Sequence, residues 1–493
     1  MVSEVRIEAA CGRLVGQRRD GVVRFLGIPY AEAPLGQRRF AAPRPKPAFA
    51  DPFRAFAYGR AAPQRRVLPM PLARFFGVSH GLSEDCLSLN VWTPGVSGRR
   101  PVLVFIHGGG FIIGSGAQYP GNDLAVRGDV VVVTMNYRLG LLGFHPFAEV
   151  FAGDERFAAN PGLLDQRLAL AWVRDNIAAF GGDPDAVTIA GESAGSVSVA
   201  WHLVTAASQP FYHRAIMQSG TLSLFYGRER AAEIGAELSR GMGLRRGPEP
   251  LFQLAPAQLA QAAEAAVSHH TGVISRPYAD CIEIGSAAPA ALAGRAKPVP
   301  LLIGTNRDEF SFFTDLPLLP IESSKAEMTD MVARLAGKDA AARVAGLYGA
   351  DRAGRIAFGT DLLFLMPSIA FAEAHVASGN AVFAYRLDWE AKGLFARLGA
   401  THSVDLPLLF EDFMRPFRSA YLGMTPDHRR RMLAERMRDH WLAFVREGRP
   451  GAAWPAYVPE TRETMIFNVT DRVEADPEKA RRIAWRGIDG FAT

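Results

Sequence analysis

The sequence predicts an α/β fold with a mostly parallel central sheet, helices on both faces and helical insertions. Short apolar, β-branched runs recur along the first half of the chain: LNVWTP, PVLVFIH, DVVVVTMNYR and AVTIAG. Runs of this kind, apolar at every position, are strands covered on both faces. Between the last two lies PGLLDQRLALAWVRDNIAAFGG, in which Leu164, Leu168, Ala171, Trp172 and Val173 recur at helical spacing, opened by Pro161 and closed by Gly181. Strand, helix and strand in alternation imply a parallel sheet wrapped by helices, with its functional loops at the carboxyl ends of the strands.

The remaining elements follow in chain order. VRIEAACGRLVG and GVVRFLGIPYA are short β runs broken by glycine, read as a small antiparallel entry sheet. A loop rich in Pro and Arg runs from Pro43 to Asp85. HRAIMQSG, VPLLIGTN and AVFAYRLDW continue the strand series. The Ala-rich stretches at about 228–295 and 321–375 read as helical insertions. No fixed-period repeat or low-complexity linker divides the chain, so residues 1–493 are expected to form a single catalytic domain.

Composition narrows the function classes. The chain has 493 residues, 48% hydrophobic and 21% charged, which supplies a large buried core and argues against disorder. Its net charge of +5 is dispersed; the densest basic run, Arg429 to Arg431, lies beside Asp427, Glu435 and Asp439 and reads as a solvated helix face. A nucleic-acid partner is therefore not expected. Cys11, Cys86 and Cys281 show neither a disulfide framework nor metal-ligand spacing. The charged N-terminal segment does not read as a signal peptide, and no uninterrupted apolar stretch approaches the roughly eighteen residues of a membrane span. A cytoplasmic protein with no membrane partner, metal or cofactor is expected; its oligomeric state is open.

The strongest chemical signal is Gly191-Glu192-Ser193-Ala194-Gly195, directly after the strand VTIA and leading into SVSVAWHLV. A serine held on a tight strand-to-helix turn, with glycines leaving room for the backbone, is the setting of an activated nucleophile. His107-Gly108-Gly109-Gly110-Phe111 follows the strand PVLVFI. Such a loop offers N–H groups to a developing oxyanion, so Gly109 and Gly110 are candidate donors together with the amide of Ala194.

These segments resemble the type B carboxylesterase family, which includes bacterial para-nitrobenzyl esterases, animal carboxylesterases and cholinesterases. The resemblance covers nearly the whole chain: FLGIPYAEAPLGQRRF, SEDCLSLNVWTP, HGGGF, NYRLGLLGF, the stretch from Asn160 through Ser196, QSGT, GTNRDEFSFF and THSVDLPLLF, in the family's order. It implies the α/β-hydrolase fold and a serine carboxylesterase working through an acyl-enzyme. It also implies a triad of Ser193, Glu309 in GTNRDEF and His402 in THSVDLP. Asp308 competes with Glu309 for the acid role. Glu192 and Ser219 are expected beside the triad as supporting groups. A serine hydroxyl attacks well only when a neutral imidazole takes its proton and a carboxylate fixes the tautomer of that imidazole. Activity is thus expected to rise through one ionisation near neutrality.

Three departures from the family stand out. Cys86 matches half of a family disulfide, but alanines occupy the partner's region in YGRAAPQ; Ser403 and Phe310 stand where the family usually has Gly. The other readings of the chain are a non-catalytic binding protein on the same fold, or a lactonase or amidase sharing the triad. Neither the acid nor the alcohol part of the substrate is named by the sequence.

One specificity follows from the Pro43–Asp85 loop. Cholinesterases hold the quaternary ammonium against a tryptophan in this loop, and an aromatic face gives a cation roughly 0.5 to 2 kcal/mol. Here the loop has no tryptophan and carries Arg60, Arg65, Arg66 and Arg74, with Tyr58, Phe75 and Phe76 among its aromatic residues. The expected outcome is no preference in kcat/KM for butyrylcholine over an uncharged butyrate ester of matched leaving-group pKa. A clear advantage for the choline ester contradicts the reading.

Overall fold

The computed structural model describes residues 2–64, 80–266, 275–280, 289–315, 324–425 and 427–488. The chain forms two compact units: Met1–Ile189 with Pro210–Tyr212 and Tyr226–Ile282, and Ala190–Gln209 with His213–Phe225 and Glu283–Thr493. Strand β8 (Gly182–Glu192) begins in the first and ends in the second.

In the first unit the strands are β1 (Ser3–Ala9), β2 (Gly12–Arg19), β3 (Val22–Pro29), β4 (Phe49–Arg54), β5 (Ser88–Thr93), β6 (Arg100–Ile106) and β7 (Val131–Met135). Their order is β1-β2-β3-β5-β7-β6, with β4 on β2. The entry strands β1, β2 and β3 pair antiparallel, as the glycine-broken runs predict. LNVWTP forms β5, antiparallel to both β3 and β7; β4 lies parallel to β2 off the main strand order, and along that order parallel pairing sets in at β7 and β6. Strands β5 and β7 are buried at every position, the burial that their continuous apolar runs require.

The helix Pro161–Asn176 ends through a turn of 3-10 helix at Gly181, whose φ of +78° suits a residue without Cβ. Its buried stripe runs through Leu163, Gln166, Leu170 and Val173. Leu164, Leu168 and Ala171, expected on that face, are half-buried. The stripe is shifted because Asp165 and Gln166 are buried too. Asp165 is fully enclosed and accepts from the Nε, Nη2 and backbone N of Arg138 at 2.8, 2.7 and 3.0 Å. Arg138 also donates to the carbonyls of Ala41 and Arg39, so one buried fork ties the loop after β7 to the helix and to the entry segment. Of the Pro43–Asp85 loop, Arg65, Arg66, Arg74, Phe75 and Phe76 lie outside the described residues. The Tyr58 ring lies 5.0 Å from His80 and 6.3 Å from Trp92, and the Arg60 carbonyl accepts from Asn136.

In the second unit β9 (Arg214–Gln218), β10 (Leu301–Asn306), β11 (Val382–Leu387) and β12 (Glu463–Phe467) run parallel in that order, and β13 (Arg472–Ala475) closes the edge antiparallel. The helix Ala194–Val204 follows β8 after a single residue, Ser193. The predicted insertions are helical: Arg228–Gly241, Glu249–Gln253 and Pro256–Ala266 in the first unit, and Pro289–Ala293, Lys325–Ala336, Lys338–Ala345, Arg352–Thr360 and Met366–Ala377 in the second. The run Arg352–Ala377, which contains a π-helical turn at Asp361–Leu365, has the length and apolarity of a membrane span. Most of its apolar window is buried inside the protein, as in a core helix. Arg429 and Arg431 lie exposed on the helix His428–Glu447, the solvated face expected of them.

Removing one member of a buried, hydrogen-bonded ion pair strands the other charge, at about 3 to 5 kcal/mol. Asp165→Ala is therefore expected to lower the urea midpoint strongly, while the double change Asp165→Leu with Arg138→Met recovers most of the loss. Equal urea midpoints for Asp165→Ala and the parent contradict this account.

Candidate active site

Ser193 occupies the one-residue joint between β8 and its helix with φ +56° and ψ −124°, a conformation costly for a residue with a side chain. Its amide donates to the Gln218 carbonyl at 2.8 Å and its carbonyl accepts from Val197. Neighbouring glycines make the turn fit. A Cβ on Gly191 would lie 2.3 Å from the carbonyl carbon of Gly195, and one on Gly220 would lie 2.6 Å from the Ser193 carbonyl oxygen. Ala194 is the first helical residue, so its N–H has no acceptor within the helix.

Glu309 and His402 come from loops after β10 and β11 and meet in the interior. His402 Nδ1 lies 2.6 Å from Glu309 Oε2. The other oxygen of Glu309 accepts from Ser219 Oγ at 2.5 Å and from the Asn306 amide at 2.7 Å. Asp308 points elsewhere: it pairs with Arg307 and accepts from the Ala400 amide, bracing the loop that leads to His402. Phe313 and Phe364 pack on the imidazole at centroid distances of 5.2 and 5.0 Å.

On its far side His402 Nε2 lies 3.4 Å from Glu192 Oε1, and Ser403 Oγ donates to the same oxygen at 2.6 Å. Glu192 directly precedes Ser193 in the chain, and Nε2 is the ring nitrogen that Glu309 leaves free. The Ser193 hydroxyl itself is partly exposed and makes no hydrogen bond to the described residues. Hydrogen bonds to a nucleophile commonly tighten only when substrate is bound.

The charges around this ring are concentrated. Burial alone disfavours the imidazolium of His402, but the carboxylates of Glu192 and Glu309 overcome it and raise its proton affinity above that of an ordinary histidine. Burial raises the Glu192 carboxyl as well, opposed by His402. Asp405 is also buried and raised, held by Gln218 Nε2 at 2.5 Å.

In the first unit, Gly109 and Gly110 follow β6 with φ of +103° and +62°. A Cβ on Gly109 would fall 2.1 Å from the Ile113 carbonyl oxygen, because the Gly109 carbonyl accepts from both Ile112 and Ile113 in a tight turn. The N–H groups of Gly109 and Gly110 donate to no acceptor among the described residues.

Several contributors escaped sequence reasoning. Asn306 donates from its side chain to the Thr401 carbonyl at 3.0 Å, and Ser311 Oγ lies within bonding distance of the Leu398 carbonyl and Thr401 Oγ1. Only their place within the GTNRDEFSFF and THSVDLP segments marked them. The two glycine departures have direct explanations. Ser403 keeps the left-handed φ, +64°, that a glycine would adopt freely, and its hydroxyl is bonded to Glu192. Phe310 is fully buried against Gly359, where a Cβ would sit 2.1 Å from its ring. Cys86 is a free, buried thiol.

The profile of the carboxylesterase family matches residues 3–485. The chain is 38% identical over 486 residues to the para-nitrobenzyl esterase of Bacillus subtilis (strain 168), covering 96% of each. It is 31% identical to the acetylcholinesterase of Bungarus fasciatus, over 91% of this chain and 80% of that protein. The solved structure of a thermophilic PNB esterase superposes with a TM-score of 0.89 at 35% identity, covering 98% of this chain and 100% of the other.

If His402 must be neutral to accept a proton, its raised affinity places the acid limb of kcat/KM above the ordinary histidine value of about 6.5, not at neutrality or below. Removing one flanking charge destabilises the imidazolium, so Glu192→Gln is expected to move that limb to lower pH. A pH profile of kcat/KM for both proteins checks the sign, and an upward shift contradicts it.

Proposed function

The chain belongs to the carboxylesterase family and hydrolyses carboxylic esters, and from that premise we propose a Ser193–His402–Glu309 mechanism. The observation that carries the proposal is the His402 Nδ1 to Glu309 Oε2 contact of 2.6 Å, buried and reinforced by Ser219 and Asn306. In the neutral ring it favours the proton on Nδ1, toward the carboxylate, and so leaves Nε2 to accept one, the tautomer that a general base needs.

In this reading Ser193 Oγ attacks the ester carbonyl carbon while His402 Nε2 takes its proton. The C–O bond to the alcohol then breaks as the imidazolium returns that proton to the leaving oxygen. Water repeats the sequence on the acyl-enzyme and releases the acid. The amide of Ala194 is the proposed oxyanion donor at the helix start, with Gly109 and Gly110 carried over from the HGGG motif as its companions. Glu192 and Ser219 act through His402 and Glu309 as positioning groups.

The substrate in this proposal is an uncharged small-molecule ester, and an aromatic alcohol part is supported by the likeness to para-nitrobenzyl esterase. One catalytic domain is supported by a family match that runs through both compact units. A reducing, cytoplasmic setting is supported by the free thiols Cys11 and Cys86.

Ser193→Ala is expected to lower kcat for a para-nitrobenzyl ester on the order of a million-fold, with an unchanged circular dichroism spectrum and melting temperature. Wild-type turnover by the sequence-verified variant rules the mechanism out.

A further inference from the structure

The second unit contains a cavity of about 50 Å³ between the helix Met366–Ala377 and one face of β10, β11 and β12. Ile303, Thr305 and Ala384 line it from the sheet. Side chains alternate along a strand, so Asn306 of β10 belongs to the opposite face. The cavity is thus separate from the groups that hold His402.

Its lining is apolar where Ile303, Leu365, Ile369, Ala372 and Ala384 meet it, and polar residues complete it, among them Thr305, Ser368 and Tyr457. Thr305 Oγ1, Ser368 Oγ and Tyr457 Oη are buried, at 1, 5 and 4% residue exposure, and none has a hydrogen-bond partner among the described residues. Buried hydroxyls are nearly always bonded, and leaving one unmet is costly. The charged groups at the rim are already engaged: Arg386 with Asp388 and Glu478, Arg462 with Glu373, and Asp476 with Arg482.

From this pattern we infer a binding site for a small neutral alcohol. An anion or cation finds no uncommitted counter-charge, and a hydrocarbon leaves the hydroxyls unmet. An alcohol group both donates and accepts, as three hydroxyls require, while a short alkyl chain covers the aliphatic wall. At roughly 10 to 15 Å³ for each water-sized group, the volume suits a molecule of about four non-hydrogen atoms, such as 2-propanol. The site is independent of the reading of Ser193 and His402.

Two measurements on the full chain test it. In crystals soaked with 2-bromoethanol, bromine anomalous density is expected beside Ser368 and Tyr457. In solution, 2-propanol is expected to raise the melting temperature saturably at millimolar concentration. Ala372→Leu, which fills the cavity, abolishes the rise, and Ser368→Ala weakens apparent affinity about five- to tenfold, the loss of one hydrogen bond. If Ala372→Leu fails to fold, Ser368→Ala carries the comparison. Bromine density only beside Ser193, ordered water alone on the three hydroxyls, or a titration unchanged by Ser368→Ala overturns the inference.

Discussion

The bond between His402 and Glu309 is the constraint around which the second unit is organised. Their loops leave adjacent parallel strands, β10 and β11, so the sheet brings together groups 93 positions apart. Neighbouring strands fix the spacing of the loop origins, but not the direction of a carboxylate. Asn306 resolves that by holding Glu309 through its amide and the His402 loop through its side chain. Asp308 and Ser311 pin the segment just before His402, at Ala400, Leu398 and Thr401. Small polar side chains are thus spent on loop geometry, leaving both oxygens of Glu309 fully engaged.

A second constraint comes from charge. Glu192, Glu309 and Asp405 are all buried near one imidazole. Three carboxylates in so small a volume repel, and each is stabilised by its own donors: Ser403 for Glu192, Ser219 and Asn306 for Glu309, Gln218 and Asn306 for Asp405. Gln218 is itself oriented by the indole N–H of Trp441 on the helix His428–Glu447. The electrostatics of the candidate base therefore depend on β9 and on a helix far along the chain, not only on its own loop. Such networks are sensitive to loss of one member, because an unmet buried charge costs more than the bond it made.

The departures from family glycines show how local and distant packing exchange roles. At Ser403 the backbone keeps the left-handed turn at some cost in strain, and the side chain gains a bond to Glu192. At Phe310 the compensation lies 49 positions away, where Gly359 leaves space for the ring. Phe310 thereby joins the core that the helical insertion builds with Met328, Val332, Phe358 and Trp485, tying the insertion to the residue next to Glu309.

The sequence by itself determined the α/β class, the entry sheet, the positions of the helical insertions and the candidate residues Ser193, Glu309 and His402. Those features rest on local periodicity, on glycines around a tight turn, and on long ordered segments shared with a family. In the helix Pro161–Asn176 the buried face takes in Asp165, paired with Arg138, and leaves Leu164, Leu168 and Ala171 half-buried; hydrophobic spacing carries no signal of a buried ion pair. The short strands β4, β12 and β13 were not legible for a related reason: a five-residue run such as ETMIF becomes a strand only when β11 offers it an edge. Tertiary structure alone decided that Asp308 turns to the Ala400 amide, that Ser403 bonds Glu192, and that three hydroxyls from β10, a helix and a loop near β12 line one cavity. Each depends on the direction of a side chain across strands distant in sequence, and direction is set by packing, which residue spacing along one chain does not encode.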